Sequence, residues 1–438
     1  MSTSAPPRLA RWLTRHPYVG VLANPHLRRL YLGLFLSSVG DGIAAVAVPW
    51  LALEVAGSVN RAFAVAAAGT AAFLPGIPVS LLAGLRRWRI GSRRILIVDA
   101  VLRGCLFALI GVFAVLHHLG LGWYVLILAV SSVTRTLAAG ARRTAIDELI
   151  RPEQRLAANS LLGTCLQLGL EVLGPVAGGL LIAGPGAGVA LLVDAGSFAI
   201  LFVLALTIPV AVRAMAPDDE RAGPRLSILR SVPGMVLWLI AVTFVFNFLY
   251  GPIDVGLPIY VRHTLSAGPT LYGQLFTVFG VGSLVGGIAV ASLRRQSVVR
   301  WVLVVAIIGW GGAALLLALA TTPAMALLAF GLGGLLYGPS AAATVTAIQD
   351  ATPVADVGPV ISLWAAMAVG ALPLGIALGG PLVAGLGTRG TFALCAALTL
   401  VLGIATLIRI VSARSPRPEP PQPGEPGPER SRPPASPR

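Results

Sequence analysis

The chain is 438 residues long, 56% hydrophobic and only 11% charged, and its 32 basic against 17 acidic side chains leave a formal net charge of +15. A soluble domain is nearer a quarter charged, so a water-soluble fold is excluded. The positive charge lies at the ends of apolar runs and in the tails, which points to anionic lipid headgroups as its partner and not to nucleic acid.

Residues 1–28 come first. Leu9, Trp12 and Leu13 interleave with Arg8, Arg11 and Arg15, which suits either a short helix on the inner membrane surface or a solvated basic tail. The segment lacks the apolar region and small-residue site of a cleavable signal. Twelve apolar runs follow, near 30–53, 62–85, 95–116, 121–139, 159–183, 187–211, 233–258, 271–292, 301–320, 323–343, 358–383 and 389–409. Each is about 20 residues, enough to cross a hydrocarbon core as a helix. Open strands would leave backbone donors unsatisfied in lipid, and barrel strands read as shorter alternating segments. The expected fold is an all-α polytopic membrane protein of twelve transmembrane helices. Cys105, Cys165 and Cys395 lie inside apolar runs without any CxxC or Cys/His spacing, so no metal, redox centre or other cofactor is expected.

Arginines cluster at every second break. Arg86, Arg87, Arg89, Arg93 and Arg94 follow the second run, and Arg142, Arg143, Arg151 and Arg155 follow the fourth. Arg213, Arg221, Arg225 and Arg230 follow the sixth, and Arg294, Arg295 and Arg300 the eighth. Short basic connections stay cytoplasmic, which predicts a multi-pass protein of the plasma (inner) membrane with both termini inside. The polar connection 213–232 separates a six-helix half at 29–212 from another at 233–410, and the Pro/Arg-rich tail 411–438 is expected to be disordered. Thr144-Ala145-Ile146 and Ser160-Leu161 recur at one constant offset as Thr346-Ala347-Ile348 and Ser362-Leu363, as does Gly84 as Gly286. Duplicated six-span halves are a transporter architecture with its site between the halves.

Four stretches resemble the major facilitator superfamily, and within it the bacterial drug and siderophore exporter-like branch. They are Ser38-Val39-Gly40-Asp41-Gly42 with Pro49; Gly84 to Arg94 followed by Asp99 and Arg103; Gly140 to Ile146 leading to Ala158-Asn159-Ser160; and Gly174-Pro175 with Gly178-Gly179. The resemblance spans roughly residues 25–410. It implies a gating loop made by Gly84, Arg86, Arg87, Trp88, Arg89, Gly91, Arg93 and Arg94, with Asp99 and Arg103 behind it. Trp88 stands where relatives carry an acidic residue, so the acidic half of the latch is missing at that position. Asp99 and Arg103, four apart, either supply part of that charge or form a local ion pair. Gly174, Pro175, Gly178 and Gly179 form the expected hinge, because proline removes a helix hydrogen bond and small residues permit close helix approach.

Ionisable groups at membrane depth cost roughly 2.5–3.5 kcal/mol on insertion scales, so each needs a reason. Glu171 and Asp41 fall near mid-span. A carboxyl facing a dehydrated cavity in one state and water in another takes up a proton in the first and releases it in the second. Both are proton-coupling candidates, Glu171 first because it precedes the Gly-Pro bend; for Asp41 a hydrogen bond to a neighbouring span is the competing reading. Asp194 and Asp254 read as shallower and structural, although Asp254 also joins Asn247, Phe248, Tyr250, Trp364 and Met367 as a candidate substrate contact. Such a wall suits a bulky amphipathic or cationic compound, with helix packing as the alternative. Trp50, Trp123, Trp238 and Trp301 read as interface anchors. The chain is thus expected to be a secondary transporter and not an enzyme, with a small-molecule substrate, protons and the lipid bilayer as partners. Proton-coupled efflux leads; an uptake symporter or a non-transporting receptor on the same fold are the alternatives.

Overall fold

A computed structural model describes residues 17–85, 91–208, 232–291 and 296–412, and among them it is helical without any strand. A short helix, Pro17–Leu22, leads into the first span, Pro25–Glu54. The Asn24 side chain accepts the His26 N–H at 2.9 Å, and Pro25 occupies the first helical position, where a missing donor costs nothing. The second span runs as Arg61–Phe73 and Gly76–Leu85, again capped by an asparagine, Asn60. Ser92–Val115, Leu121–Asp147, Pro152–Ala183 and Ala187–Leu206 complete the first half. Gly234–Thr264, Pro269–Ala291, Gln296–Leu319 and Pro323–Ala351 follow.

The last helical stretch, Val357–Ser412, is 56 residues. At 1.5 Å per residue that is about 84 Å, far beyond a hydrocarbon core of about 30 Å. Gly387, with φ 69° and ψ 173°, interrupts it in a conformation that residues with a Cβ avoid,. It therefore forms the eleventh and twelfth spans, broken where the sequence separates its last two apolar runs. The fourth and tenth helices continue past their apolar runs to Asp147 and Ala351. Hydropathy marks what lies in lipid, whereas a helix continues into the aqueous layer.

The fifth span has an internal irregularity with a sequence cause. It passes from α-helix at Arg155–Gln167 through a π-helical turn at Leu168–Leu173 back to α-helix at Gly174–Ala183. Pro175 has no N–H to give to the Glu171 carbonyl four residues back. The ladder slips by one, and the Gly174 N–H reaches the Gly169 carbonyl instead,.

Within the first half, the sixth span packs on the first and third, and the fourth on the second and third; the second half repeats this with its own six helices. The halves meet along two seams, the second span on the eleventh and the fifth on the eighth. Among the described residues both run through the parts of these helices nearer the arginine-poor end, Arg61–Phe73 and Gly174–Ala183. A Cβ on Gly380 would lie 3.0 Å from Ala66, and one on Gly179 would lie 2.9 Å from the Pro269 carbonyl. Arg61 donates to His263 Nε2 across the halves at 3.1 Å, and the Trp50 ring lies 6.1 Å from Tyr272 with Arg262 on it at 5.8 Å. Trp50 is thus 5% exposed within that seal and is not an interface anchor. Trp123 and Trp301 remain exposed, and Trp238 carries the Arg409 guanidinium 4.9 Å above its ring.

Candidate functional site

Between the halves lies a cavity of about 390 Å³, with walls from the first five spans and from the seventh to the eleventh. Its first-half wall is ionic: Asp41, Arg103, Arg135 and Glu171 reach it. Its second-half wall is aromatic, from Phe246, Tyr250, Phe276, Phe279, Trp310 and Tyr337, with Asn247 and Asp254 as its polar members. The rings form a connected set. Trp310 meets Tyr250 at 5.5 Å and the edge of Phe279 at 5.6 Å, and Tyr337 stacks on Phe246 at 5.3 Å.

The ionic wall is the exposed edge of a buried charge cluster. Arg103 donates to Asp41, and its other terminal nitrogen stands 4.0 Å from Asp99. Arg142 approaches Asp41 to 4.0 Å from the fourth span. The Arg103 guanidinium lies on the Phe198 ring of the sixth span at 4.3 Å. Asp194, one turn before Phe198, is wholly buried and accepts from Ser197 at 3.3 Å. It is therefore not the shallow, water-contacting carboxylate that its place in the sequence indicates. Its depth follows from Gly40, where any Cβ would collide with the Asp194 carboxylate and the Ser197 hydroxyl. Asp99 and Arg103 do share a helix face, but the close partner of Arg103 is on another span.

Glu171 lies within the π-helical turn and faces the cavity. Gln167 donates to its carboxylate at 3.4 Å and to Ser283 of the eighth span at 3.2 Å, bridging the halves. Thr277 donates to the Val172 carbonyl at 3.3 Å, so the irregular backbone is also bound from the second half. The hinge glycines use both faces of the helix beyond it. Gly174 packs against Gly42, and a Cβ on Gly178 would sit 3.1 Å from Ile43, both on the first span; Gly179 faces the eighth.

The other substrate candidates separate. Asn247, Tyr250 and Asp254 line the cavity. Phe248 is absent from that wall and stacks on Phe244. Trp364 donates to Thr243 at 3.0 Å and lines a smaller space of about 130 Å³ beside Asn247. Met367 packs against the hydrophobic core. Arg135 and the rings of the eighth to tenth spans escaped the sequence reading. Arg135 had a signal, a lone cation inside an apolar run; the rings had none.

Of the gating loop, Arg86, Arg87, Trp88 and Arg89 lie outside the described residues, and Gly84 is the next-to-last residue of the second-span helix. Gly91 is the N-cap of the third helix. Arg93 donates to the Ala205 and Leu206 carbonyls at 3.2 and 2.8 Å. A cation there satisfies the free carbonyls at the end of the sixth helix and complements its dipole. Ser92 donates to Glu148 at 3.0 Å. Arg94 follows in the first turn of the third helix.

Comparison with known proteins agrees with this architecture. A family profile described as Major Facilitator Superfamily matches residues 30–296 and 239–437. The "Multidrug efflux pump Tap" of Mycolicibacterium fortuitum is 30% identical over 400 residues, covering 88% of this chain and 95% of that protein. The protein of the same name from Mycobacterium tuberculosis is 28% identical, covering 86% of this chain and 92% of its own length. Among solved structures, the nucleoside transporter NupG aligns with a TM-score of 0.66 at 12% identity, covering 87% of this chain and 99% of its own. A POT family transporter aligns with a TM-score of 0.67 at 14% identity, covering 88% and 96%. At such identities these two structures report the fold alone.

Proposed function

The chain belongs to the Major Facilitator Superfamily, and from that premise we propose that it is a proton-coupled exporter of small amphipathic or cationic compounds, working by alternating access in the inner membrane with both termini cytoplasmic. The observation that carries this reading is the division of the central cavity, ionic on one half and aromatic on the other. An aromatic wall of this size takes a ring system, and Asp254 beside it attracts a positive charge. Two relatives that match most of the chain are named multidrug efflux pumps, which favours export over uptake.

Glu171 is the proposed coupling carboxylate. Its backbone sits in the one turn of the fifth span that proline has loosened, and its side chain shares Gln167 with Ser283 of the other half. Gaining or losing a proton changes what Gln167 can be offered by Glu171, at a point where helix geometry can respond. Asp41 is the second coupling candidate, held in an ion pair at the cavity edge. On this reading substrate enters from the arginine-rich end, because the described contacts along the two seams involve chiefly Arg61–Phe73 and Gly174–Ala183 and not the Gly76–Leu85 or Arg155–Gln167 segments of the same spans.

The test uses ethidium, a planar aromatic monocation, in inside-out vesicles energised by a proton gradient. The wild-type chain is expected to accumulate it, and Glu171→Gln to lose gradient-driven accumulation while still exchanging ethidium across the membrane. Undiminished gradient-driven accumulation by Glu171→Gln overturns the coupling role. Accumulation only in right-side-out vesicles overturns export in favour of uptake.

A further inference from the structure

Arg103 is held in a place where it has two carboxylates to choose from on two different helices. Its pairing with Asp41 of the first span leaves Nε and the second terminal nitrogen without hydrogen-bond partners. Asp194 of the sixth span is equally incomplete: Ser197 serves Oδ1, while Oδ2 is buried and unpartnered. Asp194 and Phe198 are four residues apart and so share one face of the sixth helix. The guanidinium already rests on Phe198 at 4.3 Å. A flat cation on a ring face keeps its contact as it slides or turns. Gly40, the residue before Asp41, has no side chain and so leaves the Asp194 carboxylate room against the first span.

Other ionisable groups around Asp194 are few. The third span presents Asp99 and Arg103, the first presents Asp41, and the fourth adds Arg135 and Arg142 beyond them. The fifth span, where it packs on the sixth, has no ionisable residue over Gly174–Ala183. Three acids thus face three arginines. When Asp41 takes a proton, its pairing with Arg103 is lost, and a buried guanidinium needs another carboxylate. Asp99 rides on the same helix as Arg103, so pairing with it transmits no movement between helices. Asp194 does not share that limit.

We propose that Asp194 is the alternative partner of Arg103, receiving its ion pair when Asp41, the second coupling carboxylate, binds a proton. The proton passes from a hydronium ion in the cavity to the Asp41 carboxylate, giving a carboxylic acid and water. Arg103 stays protonated throughout and moves from Asp41 to Asp194. The cluster goes from neutral to one net positive charge, and release of the proton from Asp41 reverses the exchange. Asp194 is accordingly a positioning residue: it binds neither substrate nor the transferred proton, and it makes protonation of Asp41 affordable to Arg103. The inference rests on the proton-coupled reading above.

The experiment measures gradient-driven ethidium transport in proteoliposomes as the pH on the proton-loading side is varied, and reads the pH of half-maximal rate. That midpoint is independent of how much of each variant folds. In Asp194→Asn, the protonated form of Asp41 has lost its compensation, so more acid is needed. The midpoint is expected to fall by about one pH unit, tenfold in proton concentration or about 1.4 kcal/mol. Asp194→Glu, which keeps the charge and covers the case that Asp194→Asn yields no folded protein, is expected to stay near the wild-type midpoint. A wild-type midpoint in Asp194→Asn overturns the inference, as does a shift in Asp194→Glu as large as the asparagine variant was expected to give. Wild-type transport without any pH dependence instead removes the proton-coupled reading, and this inference with it.

Discussion

Replacing Asp41 by Asn or Arg103 by Gln removes one side of a buried ion pair, and the structure sets the size of the loss. Asp41→Asn leaves the Arg103 guanidinium, which is 2% exposed, with Asp99 at 4.0 Å as its nearest charge. Arg103→Gln leaves Asp41 with Arg142, also at 4.0 Å. Unit charges at that separation attract by about 4 kcal/mol at an effective dielectric constant of about 20. The surviving partner therefore offsets part of the damage, and each single variant is expected to lose about 3 kcal/mol, the lower end for breaking a buried pair. In the double variant neither charge is left behind. Independent sites would sum to about 6 kcal/mol, whereas the double variant is expected near 3, a coupling of about 3 kcal/mol. Unfolding in mixed detergent micelles, followed by tryptophan fluorescence, measures all three. Single effects that add to within about 0.5 kcal/mol would refute the pairing.

Three further outcomes are expected. Asp254→Asn should weaken ethidium transport about tenfold in apparent affinity, about 1.4 kcal/mol, and leave a neutral aromatic substrate unaffected; Trp310→Ala should weaken both, as concentration dependence of the rate will show. Gly179→Val places branched carbons against the Pro269 carbonyl and Thr270, an overpacking of about 1–3 kcal/mol directed at the sealed end. It should raise the reaction of a cysteine introduced at position 276 with an impermeant thiol reagent added from that side. Arg61 can only donate, so its bond to His263 needs an unprotonated Nε2,. Protonation replaces the bond by repulsion from Arg61, with Arg262 the preceding residue in the chain. Acid on that face, or His263→Lys, should raise the same labelling rate about 2- to 10-fold, as loss of a bond worth about 0.5–1.5 kcal/mol allows; an unchanged rate counts against a role for this bond in the seal.

Lipid-facing and protein-facing helix sides are both apolar here, and this divides what was legible in the chain from what was not. The number of crossings and the likeness to a transporter family come from run length, from a glycine such as Gly387 and from arginines clustered at alternate breaks, whereas helix ends beyond the apolar runs, such as Asp147 and Ala351, left no such mark. The slip at Glu171 is likewise local, because Pro175 removes a named donor. Rotation of each helix about its axis is different: with no polar face to mark the outside, periodicity carries little signal. Tertiary structure alone therefore decided that Arg103 turns to Asp41 and not chiefly to Asp99, that Gly40 lets Asp194 be buried, and that rings from four helices gather opposite the charges. It also decided which end is closed. The clustered arginines carry an expectation about orientation in the membrane, but the contacts at the far end, from Gly380 on Ala66 to Arg61 on His263, appear only when the two halves touch.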